Sequence, residues 1–334
     1  MLPDLPTPYL LFLGDITNPL DAKTAMGLRD WCPEQCLGQW SLPDCQVDLG
    51  LPEMTPSRAA AAGARSVVIG VAPSGGALKP NWVDALAIAP GAGLSIVSGL
   101  HPRLEDTPAL ASAAARYDQK LVNVRVPPAD IPLASGRRRT GKRLLTVGTD
   151  CCVGKKYTAL ALARGLRASG QTARFRATGQ TGILIAGGGI PMDAVVADFL
   201  AGAAELLSPD AEPEHWDVIE GQGSLLHPAY AAVTLGLIHG SQPDALVLCH
   251  ASGRRAIDEY EAYPIPPLGR VIAQYEQAAQ LTNPQARVVG VSLNTEPLGD
   301  DASRLACAEV AAETGLPCLD PMRHDLAPLL EACP

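Results

Sequence analysis

One short stretch constrains the fold of this chain most: Gly148, Thr149, Asp150, Cys151, Cys152, Val153, Gly154, Lys155 and Lys156 in succession. An apolar run over 144–147 precedes it, and an Ala- and Leu-rich helical pattern over 157–166 follows. A strand, a glycine-bounded loop ending in Gly-Lys, and a helix form the phosphate cradle of parallel α/β proteins. The glycines let the backbone approach an anion and turn N–H groups toward it. The helix N-terminus adds a favourable dipole, and the lysine adds a full charge.

The loop departs from the usual pattern twice. Five residues separate Gly148 from Gly154, and Lys155 is followed by Lys156 where a Ser or Thr normally holds Mg²⁺. The next hydroxyl, Thr158, falls on another side of the helix, at about 100° per residue. The loop is suited to phosphates and poorly suited to Mg-ATP.

A chain of 334 residues has room for two domains. Its core must be built from Ala, Val, Leu and Ile, since aromatics make up only 4%. Strands are expected over 9–13, 66–72, 94–97 and 120–124, with helices starting at Lys23 and spanning 81–89 and 107–117. That alternation predicts a parallel sheet covered by helices. Ligands gather at the carboxyl ends of such strands, where Ser74-Gly-Gly76 and Ser98 to His101 stand; both are read as turns. A linker over 127–141, rich in Pro, Gly and Arg, divides the chain into domains 1–135 and 136–334. Beyond it, strands are expected over 171–176, 216–219, 245–250 and 287–293, a helix over 193–207, and another from Ala302 to Thr314.

A net charge of −9 argues against a nucleic-acid binder. The N-terminus lacks the basic region of a secretory signal, and the uncharged stretch 221–243 is broken by Gly and His-Pro, so it reads as core and not as a membrane span. A soluble cytoplasmic protein, assembled as a homo-oligomer, is expected. Nine cysteines, an odd number, do not suggest a disulfide framework, and Cys32, Cys36 and Cys45 lack a fourth zinc ligand. Cys151 and Cys152 are expected to have depressed thiol pKa values, being near Lys155 and a helix N-terminus.

Three strand ends converge in this reading. One carries the loop, the second Gln180-Thr181-Gly182, and the third Glu220, where P-loop proteins place their second acidic motif. Gly-Thr-Asp-x-x-Val-Gly-Lys with a later Glu-Gly-x-Gly resembles dethiobiotin synthetase. A fuller likeness runs through 148–158, 177–182, 192–205, 220–230 and 290–295. It is to the bacterial family first catalogued as a domain of unknown function and now associated with D-glutamate N-acetyltransferase. The resemblance implies an α/β protein with an N-terminal Rossmann-like parallel-sheet domain and a C-terminal P-loop NTPase-like domain. It also implies acetyl transfer from acetyl-CoA to the amine of a D-amino acid, in D-glutamate breakdown. The alternative activity is that of an ATP-dependent ligase or kinase.

On that reading Gly148 to Lys156, with Tyr157, hold the pyrophosphate of acetyl-CoA without a metal, and Lys156 supplies part of the charge of Mg²⁺. Arg137, Arg138, Arg139, Lys142 and Arg143 form a basic cluster for the 3′-phosphate. The ammonium of the substrate needs a base. Glu220 is the first candidate, Asp150 the second and His227 the third. The oxyanion needs donors, for which the N–H groups near Cys152 and the Gln180 amide are candidates. Gln180, Thr181 and Gly182 are assigned to the amino-acid substrate, and Arg254 and Arg255 to its carboxylates.

Overall fold

Uninterrupted runs of branched aliphatic residues make strands buried on both faces, which require a sheet covered on both sides. In the computed structural model, which describes residues 5–72 and 77–334, these runs build two parallel sheets. The turn expected at Ser74-Gly-Gly76 lies outside the described residues. The chain forms two compact units, Met1–Pro128 with Gly179–Pro191, and Ala129–Thr178 with Met192–Pro334. The first boundary between these units falls at 128/129, and a later segment returns to the first unit. Periodicity along a chain carries no signal for such a return.

In the first unit the strands are β1 (Tyr9–Gly14), β2 (Cys36–Ser41), β3 (Ser66–Ile69), β4 (Ser95–Ser98) and β5 (Leu121–Asn123), ordered β2-β1-β3-β4-β5 and parallel throughout. The helices are α1 (Lys23–Trp31), α2 (Pro56–Ala61), α3 (Pro80–Leu86) and α4 (Pro108–Arg116). The last three begin on proline, whose fixed φ and missing N–H suit the first helical turn. At the end of β4 the Ser98 hydroxyl accepts the Leu100 N–H at 3.1 Å, closing the expected turn.

The second unit begins with β6 (Lys142–Gly148), α5 (Lys155–Ala168) and β7 (Ala173–Arg176). The chain then gives α6 (Gln180–Ala186) to the first unit. It continues through α7 (Leu200–Leu207), β8 (Trp216–Ile219), α8 (Ala231–Ser241), β9 (Ala245–Ala251), β10 (Ala256–Ile257) and β11 (Tyr260–Pro264). It ends with α9 (Leu268–Gln280), β12 (Arg287–Asn294), α10 (Asp300–Thr314), β13 (Cys318–Leu319) and α11 (Ala327–Glu331). The sheet order is β13-β12-β9-β6-β8-β7, all parallel, while β10 and β11 pair separately as an antiparallel hairpin.

One expectation changes. The helix expected from 193 starts only at Leu200. Val196 is extended there (φ −59°, ψ 137°), between single turns at Met192–Ala194 and Ala197–Phe199. The uncharged 221–243 stretch contains α8, which packs closely on α7 through glycine. A Cβ at Gly240 would lie 2.1 Å from the Ala201 carbonyl oxygen, and one at Gly236 would lie 2.7 Å from the Leu200 Cβ. No helix among the described residues is long and apolar enough to cross a membrane.

Candidate active site

β6 lies between β9 and β8, so its loop leaves the middle of the sheet at the carboxyl edge. The loop is tight. A Cβ at Gly148 would stand 2.9 Å from Val153 Cγ2 and 3.1 Å from Lys155 Nζ. Gly154 precedes α5 at φ +99°, a conformation that L side chains strongly disfavour. Cys152 has φ +57°, so a non-glycine residue is held in the left-handed region. The Lys155 ammonium is buried and donates to the Asp150 carbonyl oxygen at 2.6 Å. Thr158 is turned away, donating to the Gly154 carbonyl at 3.0 Å and meeting the Ser292 hydroxyl at 2.7 Å. It does not replace the hydroxyl displaced by Lys156.

Just past β8, Glu220 is buried beside this loop. Its Oε2 accepts the Thr178 N–H at 2.9 Å, and its carbonyl accepts the Thr178 hydroxyl at 2.8 Å. The Gly221 N–H donates to Thr146 Oγ1 at 2.9 Å. A Cβ there would strike the Thr146 carbonyl oxygen at 1.7 Å and approach Lys155 Cδ at 3.1 Å. Only glycine lets the Glu220 turn lie against the lysine stem.

Asp150 does not have the environment of a base. It is wholly buried, its Oδ1 accepts the Cys151 N–H at 2.6 Å, and its Oδ2 accepts Arg254 at 2.7 Å and the Asp258 N–H at 2.9 Å. Both of its carboxylate oxygens are therefore already engaged by donors. Arg254 is correspondingly engaged by Asp150, with Asp258 at 3.5 Å, so it is not an open fork for a substrate. Arg255 is exposed on the same turn.

His227 is also altered from expectation. It is buried, and its Nδ1 accepts the Ala229 N–H at 3.1 Å, so in the neutral ring the proton sits on Nε2. In that form Nε2 is a hydrogen-bond donor. A nitrogen of His227, the Cys151 sulfur and an Asp150 oxygen all lie within 4.8 Å of one another. A cation there would compete with the donors on Asp150 and face Lys155 and Arg254, so the cluster suits hydrogen bonding better than metal. The Cys151 thiol is raised, not depressed: burial dominates, and the opposing effect of Lys155 is smaller.

Gln180, Thr181 and Gly182 do not form a strand end. They open α6, within the first unit. Thr181 pairs with the Thr24 hydroxyl at 3.1 Å, and Gln180 Oε1 is buried without a partner among the described residues. The linker arginines are structural. Arg139 donates to the Ser208 and Gly240 carbonyls, each at 2.7 Å, and Arg143 to those of Arg139 (3.0 Å) and Thr140 (3.1 Å). Arg137 pairs with Asp210 and Arg138 with Asp244. Arg139 thus caps the ends of α7 and α8, Arg143 closes the linker on itself, and Arg137 and Arg138 are held by carboxylates.

Two residues at the loop were not anticipated. The Tyr275 hydroxyl donates to the Gly148 carbonyl at 2.6 Å and accepts the Leu225 N–H at 3.1 Å, joining the loop to the segment that bears His227. Burial pushes its pKa up to about 12. His250 Nδ1 meets the Thr149 hydroxyl at 2.9 Å, and burial, then Arg254, lower its pKa. Position alone was the available signal for His250, at the end of the strand next to β6.

The chain matches two family models. One, a domain of unknown function (DUF1611_C) P-loop domain, covers residues 132–330, and the other, a DUF1611_N Rossmann-like domain, covers residues 38–127. A D-glutamate N-acetyltransferase of Tritonibacter scottomollicae is 49% identical over 326 residues, 98% of each chain. One from a Pseudoalteromonas species is 46% identical over 316 residues, 95% of each. The crystal structure of a DUF1611 family protein from Anabaena variabilis superposes with a TM-score of 0.86 at 35% identity, covering 98% of each chain.

Proposed function

The chain belongs to the DUF1611 family, and from that membership we propose that it moves an acetyl group from acetyl-CoA to the amine of D-glutamate. The observation that carries this reading is the likeness, through nearly the whole length of both chains, to proteins named D-glutamate N-acetyltransferase. A likeness confined to the P-loop would speak only for phosphate binding. The loop chemistry supports the reading. Coenzyme A offers a pyrophosphate and no γ-phosphate to be cut, which matches a cradle with Lys156 in the place of a Mg²⁺ ligand. We assign residues 148–157 to that pyrophosphate and place the reaction in the cytoplasm, as an opening step in D-glutamate breakdown.

The substrate ammonium must lose a proton before its nitrogen attacks the thioester carbon; the nitrogen then loses a second proton, the C–S bond breaks, and coenzyme A leaves as a thiolate that takes up a proton. Glu220 is assigned as the base. Because Glu220 lies beside the loop, this requires the long pantetheine arm to fold back toward Lys155. His227, protonated on Nε2, is assigned as a donor to the developing oxyanion, in place of its expected role as a base.

Thiol release from acetyl-CoA in EDTA tests the reading. Free coenzyme A that appears with D-glutamate, and not with L-glutamate or without amine, supports it. Absence of release, with ADP formed from ATP once Mg²⁺ is added, overturns it.

A further inference from the structure

The chain has few aromatics, yet three of its seven tyrosines stand exposed around one residue of the candidate site. Tyr230 and Tyr260 lie against His227, with ring centroids at 4.5 and 5.2 Å, and Tyr263 lies 6.2 Å from Tyr260. They are 54%, 37% and 50% exposed, whereas Tyr9 and Tyr275 are buried. His227 in turn stands within 4.8 Å of Asp150 and Cys151 of the anion loop. The aromatic patch therefore begins where the phosphate cradle ends.

The patch is held in register with the cradle. Tyr260 and Tyr263 are on the β10–β11 hairpin, which approaches the loop through Arg254 and the Asp258 N–H, both bound to the buried Asp150 carboxylate. Arg255 places an exposed cation at the base of the same hairpin. A cradle for phosphate, a neighbouring cation and exposed aromatic faces together match a ligand whose phosphates adjoin an aromatic base. In coenzyme A the adenosine is joined directly to the pyrophosphate, only a ribose away, and carries the 3′-phosphate.

We propose that the adenine of the acyl-CoA stacks on the exposed face of Tyr260, with the Tyr263 ring, set at 79° to Tyr260, bounding its edge, and with its 3′-phosphate at Arg255. This rests on the acyl-CoA reading above. It replaces the linker arginines, which are occupied by carbonyls and carboxylates, as the anchor of the nucleotide end.

Calorimetric titration with adenosine 3′,5′-bisphosphate and with inorganic pyrophosphate tests it in the full chain. Tyr260→Ala should weaken the bisphosphate roughly 5- to 150-fold, the range of one base–aromatic stack, and Tyr263→Ala should weaken it by a smaller factor. Pyrophosphate, which lacks a base, should bind these variants as it binds the wild type. Tyr260→Phe, which keeps the ring, should restore bisphosphate binding. Equal bisphosphate affinity in wild type and alanine variants would overturn the stacking site while leaving the acyl-CoA reading intact. A change of oligomeric state in sedimentation without a change in nucleotide affinity would also overturn it, assigning the patch to a second copy of the chain. Failure of the wild type to bind acetyl-CoA itself would instead remove the reading on which the site depends.

Discussion

The carboxylate of Asp150 lies 2.7 Å from the guanidinium of Arg254, with the aspartate wholly buried and the arginine side chain 25% exposed. This pair joins the anion loop to a hairpin more than a hundred residues further along. Asp150→Ala leaves Arg254 and two N–H groups without their acceptor. It should cost about 3 kcal/mol, at the low end for a broken buried pair because Arg254 reaches solvent. Urea unfolding of Asp150→Ala, Arg254→Met and the double variant measures the coupling. Additive losses would show that the pair is not what holds the two segments together.

Glu220→Gln keeps the size of the side chain and removes its charge. If Glu220 takes the amine proton, kcat should fall about 100-fold or more, with coenzyme A affinity nearly unchanged. A variant that turns over normally would remove Glu220 as the base, and with it the need for the pantetheine arm to fold back.

Lys155→Ala should act on binding. A charged hydrogen bond contributes about 1.5–3 kcal/mol, so affinity for coenzyme A should fall roughly tenfold or more. EDTA should leave wild-type affinity unchanged. Tight binding by the variant would mean that the pyrophosphate is held elsewhere.

Gly221→Ala would push a methyl group against the Thr146 carbonyl oxygen, 1.7 Å from the ideal Cβ position. A destabilisation of about 1–3 kcal/mol is expected from the forced shift, together with lost activity as the Glu220 turn moves off Lys155. Gly269→Ala in α9, where a Cβ meets nothing within 4 Å, should be neutral or stabilising by up to about 1 kcal/mol. Thermal melts of the two variants should therefore move in different directions.

His250 should contribute to acid sensitivity. Its pKa is lowered from 6.5 by burial, with Arg254 adding to the effect, so the unfolded chain takes up a proton first as pH falls. Stability is then lost as pH drops below about 6.5, until the folded histidine also protonates. His250→Gln should flatten this limb of the stability profile below about pH 6.5. A profile with unchanged slope would assign the acid limb to other groups.

The loop and Glu220 were legible in the sequence because their signals are local. A strand, a glycine turn and a helix are contiguous, and an acidic residue that ends an apolar strand is visible by itself. The partners of those residues were not legible. Whether Asp150 is a base or an anchor depends on Arg254 and Asp258, which only the fold brings near. The thiol of Cys151 depends on how deeply the loop is buried, which outweighs the charge of Lys155. The β10–β11 hairpin lacks the usual glycine, since Glu259 takes the left-handed position at φ +63°, so no turn signal announced it. The linker arginines looked like a phosphate patch because the groups that hold Arg137, Arg138 and Arg139, which are Asp210, Asp244 and the ends of α7 and α8, lie far along the chain.

The return of Gly179–Pro191 to the first unit bears on how the chain is made. As synthesis proceeds from the N-terminus, α1 emerges long before α6, although Thr24 and Thr181 become bonded across 157 residues. The first sheet can form early, but it is missing a helix until the anion loop has already been synthesised. The face of α1 that meets α6 must stay uncovered through that interval, which makes it the natural place for a chaperone to hold the nascent chain. Separating the two halves by a cut between them would leave that face permanently bare.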